Sequence, residues 1–174
     1  MLSESMENHK RNSPLTIKVG IITLSDSKYQ DSLESINTDV SGDIIEKSLL
    51  EKGHLVVRSI IPDEAEDLLK KIQHLIEKEN VDIIISTGGT GIGSRDITIE
   101  TLQKIFEKEL NGFGEIFRYK SYQELGSGAI LSRATAGVYK RTLIIALPGS
   151  PNAVKTGLKL VINELGHLVK HLKE

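Results

Sequence analysis

VDIIISTGGTGIGSRD, residues 81–96, is the stretch on which the fold turns. Its first half, Val81 to Ser86, is a short apolar run framed by Asn80 and a glycine cluster, which predicts a strand buried on both faces of a parallel sheet. Its second half, Thr87 to Asp96, carries glycines at 88, 89, 91 and 93. Such a loop lets the backbone approach a ligand closely and turns successive N–H groups toward one anion, with a helix start directly behind it. No usable G-x-G-x-x-G is present and no Gly-Lys-Ser/Thr follows, so neither the dinucleotide fingerprint nor the Walker A loop applies. Phosphate is the natural guest; an ordinary glycine turn between strand and helix is the alternative.

Working outward, the same alternation continues on both sides. Upstream, Ala65, Leu68, Leu69, Ile72, Leu75 and Ile76 mark one face of a helix, which Asp63 and Glu66 would open as a capping box. Before it, His54 to Ile61 reads as a strand ended by Pro62, and Val40, Ile44, Ile45 and Leu49 mark a helix that stops at Gly53. Leu15 to Leu24 is the first strand, followed by a polar loop through Asn37. Downstream, Thr98 to Glu109 is expected to be helical, with Gly112 and Gly114 interrupting before a helix over Glu115 to Leu125. Val138 to Leu147 resembles a hairpin with its turn at Tyr139-Lys140-Arg141, closed by Pro148-Gly149-Ser150-Pro151. One long helix should then run to the C-terminus. Strands alternating with helices imply an α/β domain: a three-layer, doubly wound, mainly parallel sheet with helices on both faces.

Composition limits what such a domain can do. The 174 residues suit one domain, over 15–174, preceded by a polar, disordered tail, 1–14, that has no secretory character. A net charge of -2, from 22 basic and 24 acidic residues, offers no field for nucleic acid. No cysteine is present, which removes thiolate chemistry and Cys-ligated metals, and a cytoplasmic location is expected. No apolar run approaches the roughly 20 residues of a membrane span. The five histidines are expected to offer no H-x-x-x-H pair on one helix face, and those at 54, 74, 167 and 171 read as surface or element-end residues and receive no role.

Ligands of doubly wound sheets bind at the carboxyl ends of the strands. There the sequence places Ser25-Asp26, Pro62-Asp63-Glu64, the glycine loop and Pro148-Gly149-Ser150. Asp63 and Asp96 each stand at a strand-loop-helix junction, where each is either an N-cap or part of a carboxylate pair holding Mg2+ shared with phosphates. Asp26 is a third candidate.

Thr87-Gly88-Gly89-Thr90-Gly91 with Arg95-Asp96-Ile97-Thr98 and Glu100, then Gly112-Phe113-Gly114-Glu115, Leu131-Ser132-Arg133 and Leu147-Pro148-Gly149-Ser150-Pro151, resembles the molybdenum-cofactor biosynthesis proteins of the MogA/MoaB type, in order from about Thr16 to Lys173. Where that family commonly has a helix-starting proline, this chain has Ile99, a change expected to have a small effect on stability. The resemblance implies a molybdopterin adenylyltransferase that transfers AMP from Mg-ATP to the terminal phosphate of molybdopterin, for a molybdenum or tungsten cofactor. It implies a homotrimer or hexamer and a molybdenum-insertion protein as a possible partner; a non-catalytic pterin-binding or delivery scaffold is the alternative. Asp63 and Asp96 would be catalytic and hold Mg2+; Thr87 to Gly91 with Pro148, Gly149 and Ser150 would bind the nucleotide. Gly112, Phe113, Gly114, Glu115, Ser132 and Arg133 would face molybdopterin. For several of these a plainer account stays open: a core position for Phe113, helix-start capping for Glu115, a surface ion pair for Arg133 and an ordinary turn for Pro148 to Ser150.

Overall fold

The computed structural model describes Pro14 and residues 16–174. The expected tail, Pro14 excepted, lies outside the described residues. In chain order the elements are β1 (Lys18–Leu24), α1 (Asp26–Leu33), α2 (Val40–Glu51), β2 (Leu55–Ile61), α3 (Ala65–Glu77), β3 (Ile83–Thr87), α4 (Thr98–Gln103), β4 (Lys108–Glu109), α5 (Asn111–Leu125), a 3-10 turn (Gly126–Leu131), β5 (Thr135–Tyr139), β6 (Thr142–Leu147), α6 (Pro151–Val161) and α7 (Leu165–Lys173).

The strands form one six-stranded sheet in the order β2-β1-β3-β6-β5-β4. β2, β1, β3 and β6 run parallel, while β5 is antiparallel to β6 and β4 to β5. Strand order therefore reverses between β1 and β3, the switch point at which an open α/β sheet leaves a crevice beyond its strand ends.

Side-chain alternation builds the three layers. In β3, Ile83 and Ile85 face one core with α2, α5, α6 and α7, while Ile84 faces the other with α3 and α4. All five residues of β3 and all six of β6 are buried, as expected of strands covered on both faces. The α/β class and the mainly parallel order agree with the expectation.

Several local expectations fail for identifiable reasons. The polar loop after β1 contains α1, which Ser25 caps through Lys28 N–H. The helix from Thr98 ends at Gln103, because the next residues pair with β5: Glu107 N–H donates to Val138 O and Leu110 N–H to Ala136 O. Gly112 and Gly114 do not interrupt α5 but lie inside it. Gly114 is a place of close approach, since a Cβ there would stand 2.8 Å from Ala134 O.

The long C-terminal helix is two helices, separated where Glu164 N–H bonds back to Val161 O in a tighter turn. His54 ends an element as expected, but it is buried rather than on the surface, 8% exposed and with no partner for Nδ1 among the described residues. The hairpin forms as expected. Its turn residues Lys140 and Arg141 both have positive φ, 46° and 60°. That conformation usually calls for Asn-Gly. Here Arg141 Nη2 donates to Lys173 O and Lys140 N–H to Glu107, tying the turn to α7 and to the segment before β4.

Candidate active site

Because β1, β2, β3 and β6 are parallel, Leu24, Ile61, Thr87 and Leu147 all end at one edge of the sheet, and their loops are hydrogen-bonded into one surface. Gly88 N–H donates to Leu147 O at 3.1 Å, and Thr87 Oγ1 donates to Pro148 O at 3.0 Å, joining the loops after β3 and β6. Ser41, in the first turn of α2, donates its hydroxyl to Gly149 O at 2.8 Å. Thr98 returns from α4 to hold the glycine loop, its Oγ1 donating to Gly88 O at 2.9 Å and its N–H to Gly89 O at 2.9 Å. Among the described residues the N–H groups of Gly89, Thr90 and Gly91 have no acceptor. This is the arrangement that an anion would complete.

The two aspartates stand on either side of that loop. Asp63 Oδ2 accepts from Asp26 N–H at 3.0 Å, and Asp63 N–H donates to Asp26 Oδ1 at 3.0 Å, a reciprocal clasp between the loops after β1 and β2. Asp63 Oδ1 faces Gly89, 3.2 Å from where a Cβ would stand. Asp63 is thus not the cap expected from sequence: Glu64 is the N-cap of α3 and caps nothing with its side chain, while Glu66 pairs with Lys70. Asp96 does not cap α4 either; its Oδ2 accepts from Gly93 N–H at 2.8 Å and closes the far side of the loop against Gly91.

Burial pushes the Asp63 carboxyl above the usual range, the Asp26 N–H opposes this, and the charges of Asp26 and Asp96 add to the rise. Asp26 moves the other way, held down by the N–H of Asp63 and by Arg95. Arg95 forks between Asp26 at 2.8 Å and Glu64 at 2.7 Å, pinning the end of the glycine loop to the clasp. Among the described residues no three acidic or histidine side chains are grouped so as to enclose a metal. A divalent cation would therefore have few protein ligands here and would take its other oxygens from phosphate and water. That suits Mg2+ rather than a Ca2+ cage.

A second group of predicted residues lines a cavity of about 350 Å3 beside the loop, with Gly114, Glu115, Ser132 and Arg133 on its wall. Arg133 is engaged by Glu100 of α4, whose carboxyl it holds below the usual range. Glu100 also feels the charge of Asp96, which opposes that lowering. Gly112 and Phe113 are not on that wall. Phe113 packs against the core, its ring centroid 6.3 Å from that of Phe117. Ile99, in the place of the family's proline, is buried in the core on α3's side and also borders the cavity. Pro148 and Ser150 line an adjoining cavity of about 380 Å3, and Ser132 borders both.

Sequence reasoning missed Arg118 on the cavity wall, although it lies one turn beyond Gly114 and so shares its face. It also missed Asp39, fully buried, which accepts from Thr23 Oγ1 at 2.6 Å, Gly42 N–H at 3.0 Å and Arg58 at 2.8 Å, and so seats α2 and Ser41. Only the three-dimensional pairing of β1 with β2 makes Asp39 visible.

Comparison with known proteins agrees with this geometry. The pattern of the family described as "Probable molybdopterin binding domain" matches residues 20–167. A protein of Methanocaldococcus jannaschii named "Probable molybdopterin adenylyltransferase" is 46% identical over 95% of this chain and 99% of its own length. The "Molybdopterin adenylyltransferase" of Pyrococcus furiosus is 43% identical over 97% and 99%. The crystal structure of a tungsten cofactor synthesizing protein, MoaB, from Pyrococcus furiosus superimposes with a TM-score of 0.81 at 42% identity, covering 93% of this chain and 100% of that one. Sheet order, glycine loop and extended similarity lead to one conclusion: the chain belongs to the molybdopterin binding domain family of molybdenum-cofactor biosynthesis proteins.

Proposed function

We propose that the protein is a molybdopterin adenylyltransferase, transferring AMP from ATP to the terminal phosphate of molybdopterin in the making of a molybdenum or tungsten cofactor. The observation that carries this reading is the pair Asp63 and Asp96 set around a glycine loop whose N–H groups at 89 to 91 lack acceptors. In the reaction a phosphate oxygen of molybdopterin forms a bond to the α-phosphorus of ATP, and the bond from that phosphorus to the bridging oxygen breaks as pyrophosphate leaves. The obstacle is repulsion between two polyanions. N–H groups of Gly89, Thr90 and Gly91 would receive the transferring phosphate oxygens, donors fixed in advance by Thr98 and by the glycine backbone. Gly149 and Ser150 border the nucleotide, held by Ser41 and by the cap Ser150 gives to Ala153 N–H.

Asp63 and Asp96 would hold Mg2+, which when bound neutralises charge on phosphate oxygens and on the leaving pyrophosphate. The raised Asp63 carboxyl supports this role, because a cation would offset both the burial that chiefly raises it and the smaller repulsion from Asp26 and Asp96. Asp26 is committed to Arg95 and to the N–H of Asp63, so only the pair is proposed as ligands. Molybdopterin would lie in the cavity of Gly114, Glu115, Ser132 and Arg133, with its phosphate drawing Arg133 away from Glu100. Leu125, Ile130 and Leu131 on the walls of these cavities and Ile116, Tyr119 and Tyr122 on α5 are all exposed, and a homotrimer or hexamer would cover them.

The test is pyrophosphate release from Mg-ATP with and without molybdopterin. Release that depends on molybdopterin, and that falls about 100- to 1,000-fold in Asp63→Ala and Asp96→Ala, is the expected result. A folded protein that binds molybdopterin but releases no pyrophosphate would leave the scaffold reading standing instead.

A further inference from the structure

His167 and His171 stand one helical turn apart on α7, in the sequence H-L-V-K-H, contrary to the expectation that no H-x-x-x-H pair shares a helix face. Their Nε2 atoms face each other at 2.9 Å, with ring centroids 4.6 Å apart. Each ring has a carboxylate at its other nitrogen: Glu164 lies 3.5 Å from His167 Nδ1, and Glu174 lies 3.2 Å from His171 Nδ1.

The contact closes either as an N–H···N hydrogen bond, with one ring in its Nε2–H tautomer, or around a cation that takes a lone pair from each Nε2, the tautomer that a carboxylate at Nδ1 favours. One proton or one metal ion satisfies both. Carboxylate-imidazole-metal is the usual outer-shell arrangement of bound histidines, because the carboxylate sets the tautomer and the ring angle. Distance supports the same reading. Two imidazole nitrogens at roughly 2.0 Å from a metal and at right angles to each other stand about 2.9 Å apart, whereas a tetrahedral angle needs about 3.3 Å. The site also lies on a nine-residue helix whose last turn is its negative dipole end, which favours a cation.

We propose that His167 and His171 form a binding site for a divalent first-row transition metal, with Nε2 of each ring in adjacent coordination positions and water in the rest. Borderline ions that prefer nitrogen and tolerate right-angle geometry suit it best, in the order Cu2+, then Ni2+, then Zn2+. The site is separate from the phosphate loops. Lys173 pairs with Asp82 at 2.7 Å and Arg141 donates to Leu172 O and Lys173 O, which fastens the end of α7 where β3 and β6 begin, opposite the edge that carries Asp63 and Asp96. Lys170 lies between the two histidines in sequence and is within 4.0 Å of Glu174, so the carboxylates offset its charge near the site.

The test is calorimetric titration of the full chain with CuCl2, NiCl2 and ZnCl2, together with electron paramagnetic resonance of the Cu2+ form. The expected result is one binding event, with nitrogen hyperfine structure from two imidazoles in the wild type, that is weakened at least 10-fold in His171→Ala, where Cu2+ forced on at high concentration shows one imidazole. His171 is half exposed, so this variant should fold, and unchanged circular dichroism will check it. Glu174→Gln should keep the event and weaken it about 10-fold, as loss of an outer-shell partner does. A Cu2+ titration identical in stoichiometry and affinity for the wild type and His171→Ala would overturn the proposal. So would a spectrum without two equivalent nitrogens. Neither outcome touches the adenylyltransferase reading, which rests on other residues.

Discussion

Gly88 and Gly53 both have positive φ, 100° and 79°, yet substitution at the two should differ sharply. At Gly53, just beyond α2, a Cβ would meet nothing within 4 Å, so alanine there pays only the left-handed backbone penalty of about 1–2 kcal/mol, partly offset by an unfolded-state gain of about 0.4–1 kcal/mol. At Gly88 a Cβ would stand 2.2 Å from Leu24 O, a main-chain atom of β1 that cannot rotate away. Either β1 and the loop separate, or Gly88 N–H leaves Leu147 O. Backbone penalty and overpacking together come to roughly 2–5 kcal/mol. With a urea slope of about 2 kcal/mol/M, the midpoint should fall by about 1–2.5 M for Gly88→Ala and by less than about 0.8 M for Gly53→Ala. Equilibrium urea unfolding followed by circular dichroism measures both. Equal shifts would mean that the glycine loop is not held against β1, and the nest argued for phosphate would lose its support.

Three further outcomes follow from the same geometry. Asp63 has a folded pKa above its unfolded value, so its contribution to stability is full below the unfolded value, near 3.9, and is lost as pH rises through the folded one. Asp63→Asn should therefore be more stable than wild type at pH 7 and lose that advantage at pH 3; an equal advantage at both would refute the assignment. Asp39→Ala would leave Arg58 without its buried partner and free Thr23 and Gly42 of theirs, for a loss of about 3–5 kcal/mol by urea unfolding; a loss under about 1 kcal/mol would show the network to be incidental. Arg133→Ala should weaken molybdopterin binding by about 10- to 150-fold with ATP affinity unchanged, while Glu100→Gln, which releases Arg133, should not weaken it, as read by fluorescence titration.

The parts of the fold legible from sequence are those decided by short-range pattern. β3, expected over Val81 to Ser86 and found over Ile83–Thr87, was legible because a strand covered on both faces has no polar side to disguise it. The hairpin at Lys140 and Arg141 and the helix stop at Gly53 were legible for the same local reason. What was not legible was whatever depends on a distant partner. Residues 104 to 109 carry helical composition, but β5 offers Val138 O and Ala136 O, and pairing wins over propensity. Gly112 and Gly114 read as helix breakers, since a glycine's own cost is visible in sequence while the need of Ala134 O for space at Gly114 is not. The site followed the same division. Its loops were legible as loops; the clasp between Asp26 and Asp63 joins residues 37 positions apart and was not.

The features that define the site are each unfavourable to the fold taken alone. Asp63 is partly buried beside like charges, the N–H groups of Gly89 to Gly91 lack acceptors among the described residues, and Gly88 holds a φ of 100°. A sequence selected for stability alone would neutralise the aspartate and fill the loop. Their concentration at one sheet edge supports the reading of that edge as a surface kept for a ligand. The ligand must supply positive charge to the carboxylates and negative charge to the N–H groups at the same time. On the proposed reading a magnesium-bound polyphosphate would do both, its cation meeting Asp63 and Asp96 while its oxygens meet the loop. A neutral ligand would leave both sets uncompensated, and a bare anion would worsen the crowding of Asp26, Asp63 and Asp96. The electrostatics therefore argue for cation and phosphate arriving as one unit, so Mg2+ and ATP should bind with positive cooperativity that Asp63→Asn reduces.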